Sequence, residues 1–292
     1  MIIKNKYIFL GLSLLLIVAA IVALVTFGLK EGIDFKGGTQ WEINGVKQEN
    51  LQTILPKDTI ITNGSNNSFI VRLPELSEAD HQKYFKEIKE KDSEAVELSF
   101  ETIGSSIGQE LKQKAIWAFL FVLLGISLYI AFAFRKVSHP VSSWKYGFIT
   151  LLTLFHDALI PAGLMAILGW LYGAEIGVNF IVAILVVMGF SVHDTIVVFD
   201  RIRENLRLEK GTNFDFSNLV NKSVVQTFAR SINTSLTLIL VLLALYFLGA
   251  DSLRSFIVVI LVGVVVGTYS SIFVASPLLV LVNPVRNRDR VL

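Results

Sequence analysis

The 292-residue chain has no cysteine. That absence excludes disulfide bridges, thiolate metal sites and thiol nucleophiles, and it leaves the compartment open, because a reduced cytosol and a disulfide-poor cell envelope both accept such a chain. Charge is scarce as well: 17% of the residues are Asp, Glu, Lys or Arg, against 53% that are hydrophobic. The hydrophobic residues arrive in long blocks separated by polar segments, which excludes an ordinary soluble globule and implies a polytopic membrane protein. No Walker-type phosphate loop occurs, so direct use of ATP is not expected. No membrane crossing pairs His and carboxylate ligands three or four residues apart, so no metal site is expected there, and no cofactor is expected.

Six stretches reach the roughly 20 apolar residues that cross the hydrocarbon core of a bilayer. They are 8–29, 115–134, 148–169, 177–199, 231–249 and 256–282. The first follows Lys4 and Lys6 as a signal peptide would. Its apolar core exceeds the roughly 7 to 15 residues of a cleaved signal, so a retained anchor is expected. Six crossings put both termini on one side of the membrane. Lys4, Lys6, Arg135, Lys136, Lys145, Arg201, Arg203, Arg207, Lys210, Lys222, Arg230, Arg286, Arg288 and Arg290 all fall on that side, whereas the short opposite loops contribute only Arg254. The bias of Lys and Arg toward the cytoplasm therefore predicts that both termini are cytoplasmic.

Between the first two crossings lies a polar segment, 30–114, long enough for a small domain. "GGTQWEIN" alternates Thr39, Trp41 and Ile43 on one strand face, and "VKQENLQTIL" spaces Val46, Leu51, Ile54 and Leu55 as a short helix does. "TIITN" and "SFIVRL" are β-branched runs joined by "NGSNN", a hairpin signal. Ser77 is an N-cap candidate, and Tyr84, Phe85 and Ile88 share one face of the helix that follows. "EAVELSFETI" alternates again. Strand, helix, strand, strand, helix, strand is the split arrangement of ferredoxin-like domains. His81 is expected on an exposed helix face. The expected organisation is thus an N-terminal tail and first crossing (1–29), an extracytoplasmic α+β ferredoxin-like domain (30–114), and five further transmembrane helices (115–292) with a cytoplasmic loop at 200–230. That loop alternates signs and spaces Ile202, Leu206, Leu219 and Val224 as amphipathic helices lying on the membrane surface would, with its basic residues on anionic lipid.

Polar residues interrupt the crossings in a few places. Asp157 follows His156 near the middle of the third, and Asp194 follows His193 in the cytoplasmic half of the fourth. A carboxylate at that depth costs roughly 3 kcal/mol on insertion scales, so each needs a purpose. On a helix Ser191, Asp194, Thr195 and Val198 lie on one side, with Arg201 two turns below. Asp194 is either half of a buried ion pair or a group that exchanges a proton from the bundle interior or a wet cavity. Arg230, in the polar stretch "RSINTSLT", is the candidate cation, and an interfacial anchor is its plainer role. Asp157 reads equally as a helix-to-helix hydrogen bond or as part of a transport path, which His156 and His193 could extend. Gly263 and Gly267 form a small-xxx-small motif for close helix packing.

"GIDFKGGT" after the first crossing, "FHD" in the third, "GFSVHDTIVVFDRIREN" in the fourth and "RSINTSLT" opening the fifth resemble the SecF branch of the SecD/SecF family of protein-translocase subunits. The likeness covers nearly the whole chain, and its layout is similar to half of a resistance-nodulation-division exporter. His193 departs from it, standing where relatives often carry Asn before the Asp. The resemblance implies a subunit that pairs with SecD, sits beside the SecYEG channel and uses the proton-motive force to help preproteins cross the plasma membrane, with no enzymatic activity and no nucleic acid among its partners. It assigns the membrane-embedded carboxylate to Asp194, its partner cation to Arg230, a less certain polar position to Asp157, and a hinge or tight turn to Gly37 and Gly38. A half-exporter of small molecules or lipids and a scaffold that carries no protons are the rival expectations.

Overall fold

Hydrogen-bonding demand explains the membrane part first. In hydrocarbon every backbone N–H and C=O must be satisfied within the chain, so long apolar runs become helices. The computed structural model describes residues 2–64, 67–135, 141–209, 214–249 and 253–283. Lys136, Lys210, Arg286, Arg288 and Arg290 of the orientation bias, and Ser65 and Asn66 of the hairpin loop, lie outside the described residues. Six long apolar helices span Ile3–Phe27, Ser105–Ala133, Ser143–Tyr172, Val178–Leu208, Phe216–Leu248 and Arg254–Val282. The first comprises a short 3-10 turn and α1 (Lys6–Phe27); the next four are α5 (Ser105–Ala133), α6 (Ser143–Tyr172), α7 (Val178–Leu208) and α8 (Phe216–Leu248). The last is interrupted: α9 (Arg254–Ser270) gives way to a π-helical turn, Ser271–Ala275, before α10 (Ser276–Val282). Between α1 and α5 lie a one-turn helix α2 (Ile33–Lys36), β1 (Gly38–Asn44), α3 (Gln48–Ile54), β2 (Ile60–Asn63), β3 (Phe69–Leu73), α4 (Glu78–Lys91) and β4 (Val96–Ile103).

The chain divides into two compact units, one of residues 1–30, 118–174 and 179–292, the other of residues 31–117 and 175–178. The second unit is the small α+β domain. Its antiparallel sheet runs β2-β3-β1-β4, the ferredoxin-like order. Alternation along β1 turns Thr39, Trp41 and Ile43 inward, where Trp41 and Ile43 join Leu51 of α3, Val71 of β3 and Ile88 of α4 in one core. Ser77 caps α4 by accepting from the Asp80 N–H at 3.2 Å. His81, expected on an exposed face, is buried: its ring stacks on Phe100 at 3.7 Å and its Nε2 lies 2.6 Å from Glu97 Oε2, which also accepts from Trp41 Nε1 at 2.7 Å. The helical pattern did not reveal this, because the carboxylate that satisfies the ring comes from β4. Segment 175–178 is held in the same unit, with Glu175 paired to Arg72 at 3.2 Å and the Val178 N–H donating to Asp34 Oδ2 at 2.7 Å. Gly37 and Gly38 have φ of +78° and +119°, and a Cβ on Gly37 would come within 2.6 Å of Ser105 Cα, so both the turn and the close approach require glycine.

In the first unit, α6, α7 and the interrupted last helix are the most buried, whereas α1, α5 and α8 present most of their apolar surface outward. A Cβ on Gly263 would overlap Val187, and one on Gly267 would lie 3.0 Å from Ser191 Cβ, so the glycine pair lets α9 approach α7 closely. The 200–230 segment differs from expectation. Residues 200–208 continue α7 and 216–230 open α8, rather than forming separate helices on the membrane surface. The apolar spacing was legible, but its target is the neighbouring helix: Ile202, Leu219, Val220 and Val224 are buried in one cluster, and Asn205 bridges to Ser223 at 2.7 Å and to Gln226 at 2.9 Å. Asp215 starts α8 by accepting from the Ser217 N–H at 2.8 Å.

Candidate functional site

Two carboxylates lie inside the helix bundle. Asp157 of α6 has no exposed surface and Asp194 of α7 is 5% exposed. Each is held by hydroxyls from other helices. Asp194 Oδ1 accepts from Ser231 of α8 at 2.6 Å, and its Oδ2 accepts a short bond from Ser271, the first residue of the π-helical turn. Asp157 Oδ2 accepts from Ser270, the last residue of α9, at 2.7 Å and from Ser191 of α7. Its Oδ1 lies 2.7 Å from Nδ1 of His156. Neighbours on a helix diverge by about 100°, which argues against such a contact, yet the ring folds back onto the adjacent carboxylate.

Adjacent serines thus serve different acids, Ser270 for Asp157 and Ser271 for Asp194. Because consecutive residues point to different sides of a helix, α9 and its π turn sit between the two groups. The turn lies where both attach. π-helical turns are rare and concentrate at functional positions. Ser276 Oγ donates to Ser271 O at 3.3 Å, five residues back, within the same stretch. Above it, Ser235 of α8 and Thr268 of α9 share a hydroxyl–hydroxyl bond.

Arg230 does not meet Asp194. The guanidinium is exposed and has no ion-pair partner among the described residues, while the next residue, Ser231, takes the carboxylate. The offset is one helix position: Ser231 faces inward, and Arg230 heads an exposed polar stripe with Asn233, Thr234 and Thr237. His193 is likewise exposed, about 100° around α7 from Asp194. Arg201 pairs with Glu204 at 2.6 Å and donates to Gln226 at 2.7 Å. The structure therefore brings together Asp157, Asp194 and His156, and leaves His193 and Arg230 outside that cluster. Sequence reasoning missed Ser231, Ser270 and Ser271 as partners and used Ser191 only to define a helix face. The signal was present as Thr268, Ser270 and Ser271 in an otherwise apolar crossing, a polarity with no reason to exist in hydrocarbon unless it is paired. No group of three or more His, Asp or Glu able to hold a metal ion occurs among the described residues.

Hydroxyls suit a group that gains and loses a proton. An ionised carboxylate accepts from both serines, whereas a protonated one donates its own hydrogen and at least one serine must turn to accept it. A change of protonation therefore rewrites bonds between α7, α8 and the π turn.

Six crossings, a small α+β domain between the first two, and carboxylates buried in the bundle define a polytopic transport protein. Residues 83–284 match the family model "Protein export membrane protein SecD/SecF, C-terminal", and residues 22–43 match "SecD/SecF GG Motif". The protein translocase subunit SecF of Thermobaculum terrenum is 42% identical, with 96% of this chain and 92% of that one covered. The SecF of Anaerolinea thermophila is 36% identical over 96% of this chain and 93% of its own. The crystal structure of SecDF from Thermus thermophilus, a translocon-associated membrane protein, superposes with a TM-score of 0.83 at 36% identity, covering 97% of this chain. The chain spans 38% of that longer protein. It belongs to the SecD/SecF family, as a SecF-type subunit of the protein translocase. The family is one of transport proteins, not of catalytic enzymes.

Proposed function

We propose that this chain couples the proton-motive force to preprotein translocation through Asp194. The observation that carries the reading is a carboxylate 5% exposed in an apolar span, gripped by hydroxyls of two other helix segments instead of a fixed cation. Such a group can change charge without stranding an unpaired partner. Proton uptake loosens the hold of Ser231 and Ser271, and a rotation of α8 by about one residue position, roughly 100°, exchanges Ser231 for Arg230 as the group facing Asp194. Arg230 then favours release of the proton. An elementary charge crossing the field gains about 2.3 kcal/mol per 100 mV, enough to bias a two-state bundle. Asp157, bonded to Ser191 one helical turn from Asp194, is a second proton-carrying group, and His193 lines the approach from the exposed side of α7. Gly37 and Gly38 are the flexible point after the first crossing, and the domain beyond them moves against the emerging chain.

The partner is a separate SecD chain, as the fused SecDF relative suggests. The exposed stripe of Arg230, Asn233, Thr234 and Thr237 is too polar to face lipid, and SecD covers it. The assembly stands beside the SecYEG channel in the plasma membrane, with both termini of this chain cytoplasmic.

The test is preprotein export into inside-out vesicles carrying this chain with its SecD partner, with and without a proton gradient. Asp194→Asn is expected to assemble normally and lose the gradient-dependent increment. Retention of the full increment by a stably assembled Asp194→Asn complex overturns proton coupling and leaves a scaffold.

A further inference from the structure

Between Asp157 and the Ser143 end of α6 runs a second buried polar feature that the two carboxylate clamps do not use. Tyr146, Thr150, Thr153 and Asp157 follow one another at intervals of four, three and four residues, the spacing of a single helix stripe. None is more than 1% exposed. Two contacts fix which part of α7 faces this stripe: Ser191 donates to Asp157, and the Phe199 ring lies 5.1 Å from that of Tyr146. The pairing is antiparallel, so Thr195, one turn past Ser191 and 1% exposed, comes opposite Thr150 and Thr153.

The hydrogen-bond account of this seam is incomplete. Thr150 donates its proton to Tyr146 O at 2.9 Å and Thr153 to Ile149 O at 3.1 Å, which leaves only lone pairs on both hydroxyls. The Tyr146 and Thr195 hydroxyls have no partner among the described residues. A buried hydroxyl without a partner costs about 1–3 kcal/mol, and Phe and Val would fill the same space without that cost. Whatever occupies the seam must accept from Tyr146 and Thr195, and beside Thr150 and Thr153 it meets only lone pairs, which favour a group that also donates. Water does both, whereas a metal cation cannot accept a hydrogen bond and a simple anion cannot donate one. At the far end Phe134 stacks on Tyr146 at 5.0 Å and carries the Arg203 guanidinium 5.5 Å above its ring, a positive group that also disfavours a metal cation.

We propose that the α6–α7 seam binds a file of internal water molecules from Asp157 to Tyr146, and that this file is the branch through which Asp157 exchanges its proton with the cytoplasm. The branch role rests on the proton-coupling reading; the hydration does not. Eleven residues of helix cover about 16 Å, roughly half of the hydrocarbon core, so the stripe extends from the buried acid toward the Ser143 end of α6. Each water accepts a proton on one side and releases another on the other, so the hydroxyls end as they began and Asp157 alone changes charge.

X-ray radiolysis in 18O-labelled water tests the site on the full chain, assembled with its SecD partner in a lipid bilayer, because radicals formed from water oxidise a buried ring only where water touches it. Tyr146, with no exposed surface, is expected to take up label well above buried Trp41 and toward the level of Tyr172, which is 80% exposed. Thr195→Val and Thr150→Val are expected to lower the Tyr146 label several-fold, and Thr195→Val and Tyr146→Phe to reduce the gradient-dependent export increment. A Tyr146 that labels no faster than Trp41 overturns the hydration site. Valine variants that dry the seam yet keep the full increment overturn the branch. An unaffected Asp194→Asn increment with Tyr146 still labelled sinks proton coupling instead and leaves the water site standing.

Discussion

Among the described residues of the small α+β domain the side chains with no exposure are Trp41, Ile43, Leu51, Val71 and Ile88, together with one threonine, Thr39, whose hydroxyl is bonded to Thr102 and the Leu76 N–H. In the helix bundle Asp157, Ser191, Ser223, Ser270 and Ser271 share that rank with Ile149 and Leu154, while Val25 and Leu248 stand 79% and 87% exposed. One chain thus uses two opposite rules for what goes inside. Water drives apolar groups together in the first region. In the second the surroundings are as apolar as the side chains, so helices are held by close packing and by hydrogen bonds. Stability should therefore respond to different injuries in the two regions.

The largest effect is expected where an apolar anchor is removed from the water-driven core. Trp41→Ala should cost about 3–5 kcal/mol, read as loss of amide protection in β1 and β3 in hydrogen exchange on the full chain. In the bundle, added bulk should do what lost bulk does outside. Gly263→Val drives methyl groups into Val187, and about 3 kcal/mol, the upper end of ordinary overpacking, is expected; a lower melting temperature of the detergent-solubilised protein would show it, and an unchanged one would break the comparison. A smaller injury crosses the two rules, because the core of the α+β domain also contains a polar knot around Glu97. Glu97→Ala leaves Trp41 Nε1 and His81 Nε2 without their acceptor and should cost about 1–2 kcal/mol, measured by the same exchange experiment.

The smallest expected effect is acid-specific. Bonds from the Asn50 side chain and the Lys47 N–H hold the Asp92 carboxyl below its ordinary value of 3.8. A carboxyl depressed in the folded state adds stability that is present above the ordinary value and is lost as the pH falls through the lowered one. Asp92→Asn should therefore narrow the stability gap to the parent protein only in strong acid, seen by comparing exchange near neutrality and below pH of about 4.

Legibility in the sequence follows the same division. Alternation in "GGTQWEIN" and the capped helix from Ser77 depend on neighbours a few residues away, and both stand as expected. His81 failed because its partner Glu97 lies on β4, outside the helix that carries His81 and beyond any helical period. The six crossings were legible from apolar length alone, since the bilayer sets the required length whatever the packing. Their ends were not, because Ile202 and Val224 are polar-loop residues by position and become core only when α7 and α8 pack together.

For the candidate site the sequence by itself determined that Asp157 and Asp194 lie at membrane depth, because a lone carboxylate in a 20-residue apolar run has nowhere else to be. Tertiary structure alone decided what they touch. Ser231 rather than Arg230 meets Asp194, since one residue along a helix turns a side chain by about 100°. Ser270 and Ser271 reach two different acids because α9 and its π turn pack against both α6 and α7, a placement set by contacts between residues that the sequence holds up to 113 positions apart.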